Sequence, residues 1–266
     1  MMNLTIQQKL HYTLRIAVVM CFIGHGSFGI ITKEIWCNYF AVFGIGKTLA
    51  YQLMPWLGCI DIAFGVLMLV YPMRIILLWL VIWGIVTAML RPLSGEPFAE
   101  FIERAGNFGA PLALLMLSGG VNLRGLFTPV DSNTEIPAEV LQKAITWLKL
   151  IVFLLLAGHG WLNLVEKKGL IGQYTSLGFN NPAFVAHLVG AVEIAAAASV
   201  LIKPIRPIIL TFLVWKMASE LFYPHWEALE WIERGGSYGC ILALWLLIGK
   251  KQQATQSIGN LQAVKI

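Results

Sequence analysis

A chain of 266 residues, 58% hydrophobic and only 12% charged, is too apolar for a soluble domain, where about a quarter of residues carry charge. Its mean hydropathy is +0.74. The formal net charge of +5 is modest, and in such a chain basic residues report orientation across a bilayer rather than nucleic-acid binding. The four cysteines form no CxxC and read as packing residues; a Cys37–Cys59 bridge is the alternative to that reading.

The polar opening "MMNLTIQQKLHYTLR" lacks a small-residue cleavage site, so the first apolar run is expected to be a retained helix rather than a signal peptide. A bilayer core of about 30 Å takes about 20 helical residues. Apolar runs of that length or nearly so begin near Thr13, Leu49, Met73, Asn107, Thr146, Pro182, Arg206 and Ser237, which predicts eight spans. The last is short.

The runs come in two copies. "IERAGNFGAPLALL" at Ile102 is answered by "IERGGSYGCILALW" at Ile232. "GHGSFG" at Gly24 is answered by "GHGWLN" at Gly158, and "GCIDIAFGVLMLVYPMR" by "GAVEIAAAASVLIKPIR". Asp61 thereby pairs with Glu193, Pro72 with Pro204, Trp83 with Trp215, and Pro92 with Pro224. This is an all-α membrane protein of two tandem four-helix repeats. Four spans is an even number, so the copies share one orientation and are related by a pseudo-twofold axis along the membrane normal. The boundaries read as 1–126 for the first unit, 127–145 for a polar, Pro-punctuated linker and 146–266 for the second. Basic residues such as Lys9, Arg74, Arg124, Lys203, Lys250 and Lys265 crowd one side, which places both termini in the cytoplasm.

A charged side chain inside a span costs about 2.5–3.5 kcal/mol on insertion scales, so each needs a reason. His25 and His159 sit between glycines in the first helix of each unit; Asp61 and Glu193 lie near the middle of each second helix. A buried His–acid pair within each unit is the structural reading. The second unit adds His187, Lys216 and Glu220 where the first has Pro55, Gly84 and Ala88. With His159, Glu193, Glu233 and Arg234 they are expected to converge on one outward-opening cavity lined mainly by the second unit. Lys216 is too deep to snorkel. The Glu100–Arg104 and Glu230–Arg234 spacings are i,i+4 pairs. Phe98, Phe101, Trp226 and Trp231 add interfacial aromatics, so each segment is expected to be a short surface helix that turns at a glycine and dives inward. Arg104 with Glu103 then faces a unit whose third span has Gly84 and Ala88 at the matching places, and so lacks the polar company that Arg234 has. A bis-histidine haem site on His25 and His159 is a minority reading.

A first span ending in Gly-His-Gly, an acid in the second span followed by a Pro/Arg inner turn, and a fourth span opening after an acidic loop resemble the DoxX family of small four-span membrane proteins. "LVGAVEIAAAASVLIKPIRPIILTFLVWKMASE" carries the resemblance best. The lysine that usually follows Gly-His-Gly is displaced, to Lys33 and Lys167. The resemblance implies a bacterial inner-membrane subunit of a quinone-linked redox system, taking electrons from a partner protein. The residues carry no motif for a flavin, an iron–sulfur cluster or a nicotinamide. A quinone-binding cavity is thus the leading expectation. A transporter or binding protein for a small anionic solute or lipid, and a structural membrane subunit, are the alternatives.

Overall fold

The computed structural model describes residues 4–121, 125–222 and 228–263. Arg124, Pro224, Trp226 and Lys265, used in the sequence reading, lie outside them. Among the described residues the chain is helical, with no strand and one isolated β-bridge, Met73 to Pro129. The helices are α1 (Ile6–Ile30), α2 (Trp36–Ala41), α3 (Lys47–Val70), α4 (Arg74–Leu93), α5 (Ala99–Glu103), α6 (Ala105–Leu117), α7 (Ala138–Leu164), α8 (Lys168–Ser176), α9 (Pro182–Ile202), α10 (Arg206–Ser219), α11 (Ala228–Glu233) and α12 (Gly235–Ala263).

Five of these, α1, α3, α4, α7 and α9, are long and apolar enough to cross a membrane, so the chain is an integral membrane protein. Helices stand at all eight places expected to hold spans, but α6 and the apolar stretch Gly235–Gly249 of α12 are shorter, and α10 has 14 residues. At 1.5 Å per residue α10 is about 21 Å long, less than the hydrocarbon core. It stops where the backbone tightens into a 3₁₀ turn at Glu220–Phe222. α6 stops at Gly119 and Gly120, both with positive φ.

Local chemistry sets the boundaries. Thr5 and Gln8 form a reciprocal capping box at the start of α1. Asn181 accepts from the Phe184 N–H at 3.1 Å ahead of Pro182. α1 and α7 both end on a left-handed residue, Thr32 and Glu166. α7 begins at Ala138, so its first turns occupy the segment assigned to the linker. Pro137 precedes the first turn, and Glu139 and Lys143 pair across one turn at 2.7 Å. The rest of that segment is tied to the first half, with Val130 N–H donating to the Pro72 carbonyl at 2.7 Å. Arg74 donates to the Ser118 carbonyl at 2.8 and 2.6 Å, satisfying the end of α6.

Packing follows the repeat in the sequence. α1 lies on α3 as α7 lies on α9, and α4 lies on α6 as α10 lies on α12. Gly26 and Gly58 bring α1 and α3 together, and Gly160 and Gly190 do so for α7 and α9. At each glycine a β-carbon would collide with the facing helix. The short segments cross over: α5, from the first half, packs on α7, while α11, from the second, packs on α1. α6 and α12 touch through Gly106 and Gly236. A single apolar core runs through both halves, with Leu14, Phe22, Leu80, Leu114, Leu155, Ala197, Leu213 and Leu244 among its buried members.

Candidate functional site

The buried His–acid pairs form within each half, as their positions imply. His25 Nδ1 is 2.7 Å from Asp61 Oδ2, and His159 Nδ1 is 2.6 Å from Glu193 Oε2. The glycines on either side of each histidine admit the crossing segments. A side-chain carbon at Gly24 would fall on the backbone of Glu233, and one at Gly158 on that of Glu103. Each histidine is therefore roofed by the acidic segment of the other half.

The surroundings then diverge. Glu193 also accepts from the Trp215 indole at 3.0 Å. Asn163 holds its amide against the His159 carbonyl at 3.1 Å and accepts from the Tyr174 hydroxyl at 2.7 Å. Asp61 is one methylene shorter than Glu193, and the Trp83 indole N–H is buried with no hydrogen-bond partner. His25 instead lies against the Trp36 ring, with centroids 4.7 Å apart.

The first Glu-Arg segment is not a surface ion pair, because the crossing packs it under the opposite half; in the second, Glu230 and Arg234 are part-buried and reach Lys33 and Glu103 of the first half. Glu100, Glu103 and Arg104 are 1%, 4% and 6% exposed. Arg104 binds both Glu100 and Glu103, at 2.5 and 2.9 Å. Glu103 also takes Arg234 at 3.0 Å, and Arg234 reaches Glu220 at 3.8 Å. Lys167 reaches Glu100 at 2.6 Å, and Lys33 reaches Glu230 at 2.7 Å, so the two displaced lysines close equivalent links between the halves. Arg91 joins at Glu96 and Glu100, at 3.1 and 3.5 Å. Burial by itself raises the Glu103 carboxyl, but Arg234 and Arg104 outweigh it and hold it well below the usual carboxylate range. Glu100 is held down in the same way by Arg104 and Lys167. The helix break falls at Arg104 rather than at a glycine, since that residue closes α5 and opens α6.

Three expectations are corrected. Lys216 is 3% exposed and lies 3.3 Å from Glu220, itself 4% exposed, so the charges of the second half fill its interior instead of lining an opening. His187 does not join them: its side chain is half exposed and sits 3.2 Å from Glu166, because its face of α9 points away from α7 and α10. Arg104 does not lack polar company, as the ion pairs above show.

A cavity of about 150 Å³ lies instead in the first half, between α1, α2, α4 and the head of α6. Phe28, Trp36, Tyr39 and Phe40 make its apolar wall; His25, Trp83, Thr87, Arg104, Asn107 and Glu233 bring polar atoms to it. Ala88 of α4 lines it where α10 carries Glu220, while Gly84, at the place of Lys216, packs against the backbone of Asn107 and Phe108 on α6. Within 4.0 Å no ion pair holds Glu233 among the described residues. Burial raises its carboxyl, and Arg234, His25 and Arg104 together keep it below the ordinary value.

Of the wall, His25, Arg104 and Glu233 were legible as repeat motifs. Trp83 was legible only as the mate of Trp215, and Arg91 and Trp36 carried no signal beyond standing next to Pro92 and Cys37. All four cysteines are free; Cys21, Cys37 and Cys240 are buried. The described residues hold no group of three or more metal-ligating side chains, and His25 and His159 each turn Nδ1 to the acid of their own half. Comparison with protein-family models, with curated proteins and with solved structures finds no match to this chain, and the geometry around His25, Trp83 and Glu233 carries the functional reading by itself.

Proposed function

We propose that this chain is an eight-span protein of two tandem four-helix units, related by a pseudo-twofold axis along the membrane normal, with both termini cytoplasmic. We propose further that it binds a quinone-type ring in the cavity of the first unit. The matched helix contacts, the crossed α5 and α11 segments and the paired lysine links support the two-unit reading. The short α6, α10 and α12 spans then owe their length to the acidic segments, which roof the bundle at one end.

The single observation carrying the ligand reading is the unpartnered Trp83 N–H beside a His–Asp pair in an aromatic cavity. A buried donor without an acceptor costs about 1–3 kcal/mol. A ring carbonyl would satisfy it, and a benzene-sized ring fits about 150 Å³. His25, backed by Asp61, and Glu233 supply proton-accepting or donating groups at the other side. Reduction of a quinone takes two electrons and two protons; the electrons would come from a partner protein and the protons through these two groups. The DoxX resemblance points the same way.

An anionic solute is less well supported. The cationic groups of the wall, Lys33, Arg91 and Arg104, are each engaged by a carboxylate, and Glu233 adds another carboxylate to the wall. A purely structural role fits the second half, where Lys216 pairs with Glu220 and Arg234 with Glu103.

The test is organic extraction of the purified protein for bound quinone, together with titration by a benzoquinone bearing a decyl tail, read by tryptophan quenching. Quenching is expected, and Ala88→Phe, which fills the cavity, should abolish it while the unfolding temperature holds. Absence of both retained and added quinone in a folded sample would end this reading.

A further inference from the structure

The second half repeats part of the frame around the first-half cavity but not the space. The His–acid pair is there, at 2.6 Å against 2.7 Å. The roof is there, with Glu103 over Gly158 as Glu233 lies over Gly24. The tryptophan is there, Trp215 for Trp83, on a helix packed against α12 as α4 is against α6. Two things differ: α8 carries Leu170 and Gln173 where α2 carries Trp36 and Tyr39, and one turn of the third long helix is changed. Ala88 lines the first-half space and Gly84 packs on the α6 backbone beside it; Glu220 and Lys216 stand at those places in the second half. Lys216 is buried 3.3 Å from Glu220, which Arg234 also approaches, at 3.8 Å.

The fit of this plug is incomplete. Glu220 Oε2 is buried without a hydrogen-bond partner, and so is the Tyr238 hydroxyl. Glu220 and Tyr238 are 4% and 6% exposed. Buried polar groups in folded proteins are nearly always satisfied, so two orphans beside a charge pair mark an interior not built around that pair. A well-packed apolar interior would not leave them, and a ligand with a hydrogen-bonding oxygen would satisfy them.

We infer that the second half carries a latent copy of the binding site, closed by the Lys216 and Glu220 side chains, which accepts a neutral ring bearing hydrogen-bonding oxygens once those two side chains are cut back. The inference rests on the cavity reading above for its ligand class. It makes one chain a one-site binder with a built-in second place.

The experiment transplants the first-half residues. Lys216→Gly with Glu220→Ala removes one positive and one negative charge together, and Arg234 keeps Glu103 at 3.0 Å. The probe is the decyl-benzoquinone, and the readout is bound probe per chain by equilibrium titration. One per chain is expected for the native protein and two for the double variant, with the added site lost again on His159→Phe. One per chain in both proteins would overturn the latent site while leaving the first-half cavity standing. None in the native protein and one in the double variant would overturn the first-half reading and support the second-half site alone; none in either overturns both. Should the double variant fail to fold, Lys216→Ala with Glu220→Gln opens much of the same volume and keeps a neutral hydrogen-bonding group beside Arg234, with the same two outcomes.

Discussion

In the first half α4 brings Ala88 to the cavity that His25 lines and sets Gly84 against α6; in the second, α10 carries Glu220 and Lys216 at those places, in the half that holds the His–Glu pair. The frame repeats in the glycine under each acid and in the lysine closing each end. The difference teaches that charge within a span is no guide to where a ligand goes. The half richer in ionisable residues is the more tightly closed, because opposite charges brought together at low dielectric pair off and pack. The half poorer in them keeps a cavity and an unpartnered donor.

The comparison breaks most visibly at the two roofing acids. Glu103 holds two arginines, so Glu103→Leu leaves Arg104 and Arg234 short of a carboxylate in a buried place. Breaking such a pair costs about 3–5 kcal/mol, and monodisperse yield and unfolding temperature in detergent should both fall sharply. Glu233→Leu removes no ion pair among the described residues and should leave both near native. Equal damage would mean that the two roofs bear equal load.

Steric tests at the matched glycines should instead give equal results. Gly24→Leu and Gly158→Leu each drive a side chain into the backbone of the crossing segment. Overpacking costs about 1–3 kcal/mol and is worse against backbone than against a movable side chain. Similar losses of unfolding temperature are expected; a loss on one side only would show that the frame is not shared.

The arginines sharpen the comparison in function. Reading the repeat alone favours Arg234 over Arg104, but Arg104 lines the cavity and Arg234 does not. Arg104→Gln should weaken decyl-benzoquinone binding about tenfold, or about 1.4 kcal/mol, and also lower the unfolding temperature, since it leaves Glu100 and Glu103 short of a partner. Arg234→Gln should change it little. The reverse order would return the site to the second half.

The smallest effect is expected from pH. Glu103 and Glu100 are held below the ordinary carboxylate value of 4.5 in the folded state. A depressed folded pKa contributes stability that is fully present above the unfolded value and is lost as pH falls toward the folded one. The unfolding temperature should therefore be insensitive to these groups between pH 8 and about pH 5, where an unfolded carboxyl at about 4.3 is ionised too. It should decline below about pH 4.5, and less steeply in Glu103→Gln. A decline already between pH 7 and 6 would assign the sensitivity to another group.

Much of the architecture could be read directly from the residues, because its causes are local. Apolar runs must become helices in a bilayer, since no other single segment satisfies its own backbone there. The Gly-His-Gly and acid motifs, set at the same depth on consecutive long helices, could meet within each half and do. Pro72, Pro204 and the capping residues around Thr5 and Asn181 act over a few residues and mark the turns. What the tertiary structure alone decided is which segments cross. A repeated sequence is silent on whether α5 lies on its own half or the other, and that choice buries Glu103 and Arg104 instead of leaving them at the surface. Side-chain reach decided the rest: Glu193 is long enough to satisfy Trp215, Asp61 leaves Trp83 without a partner, and the face on which α9 meets α7 turns His187 away. These depend on distances of one methylene or one helix face, which no pattern of residue types records and only packing in three dimensions sets.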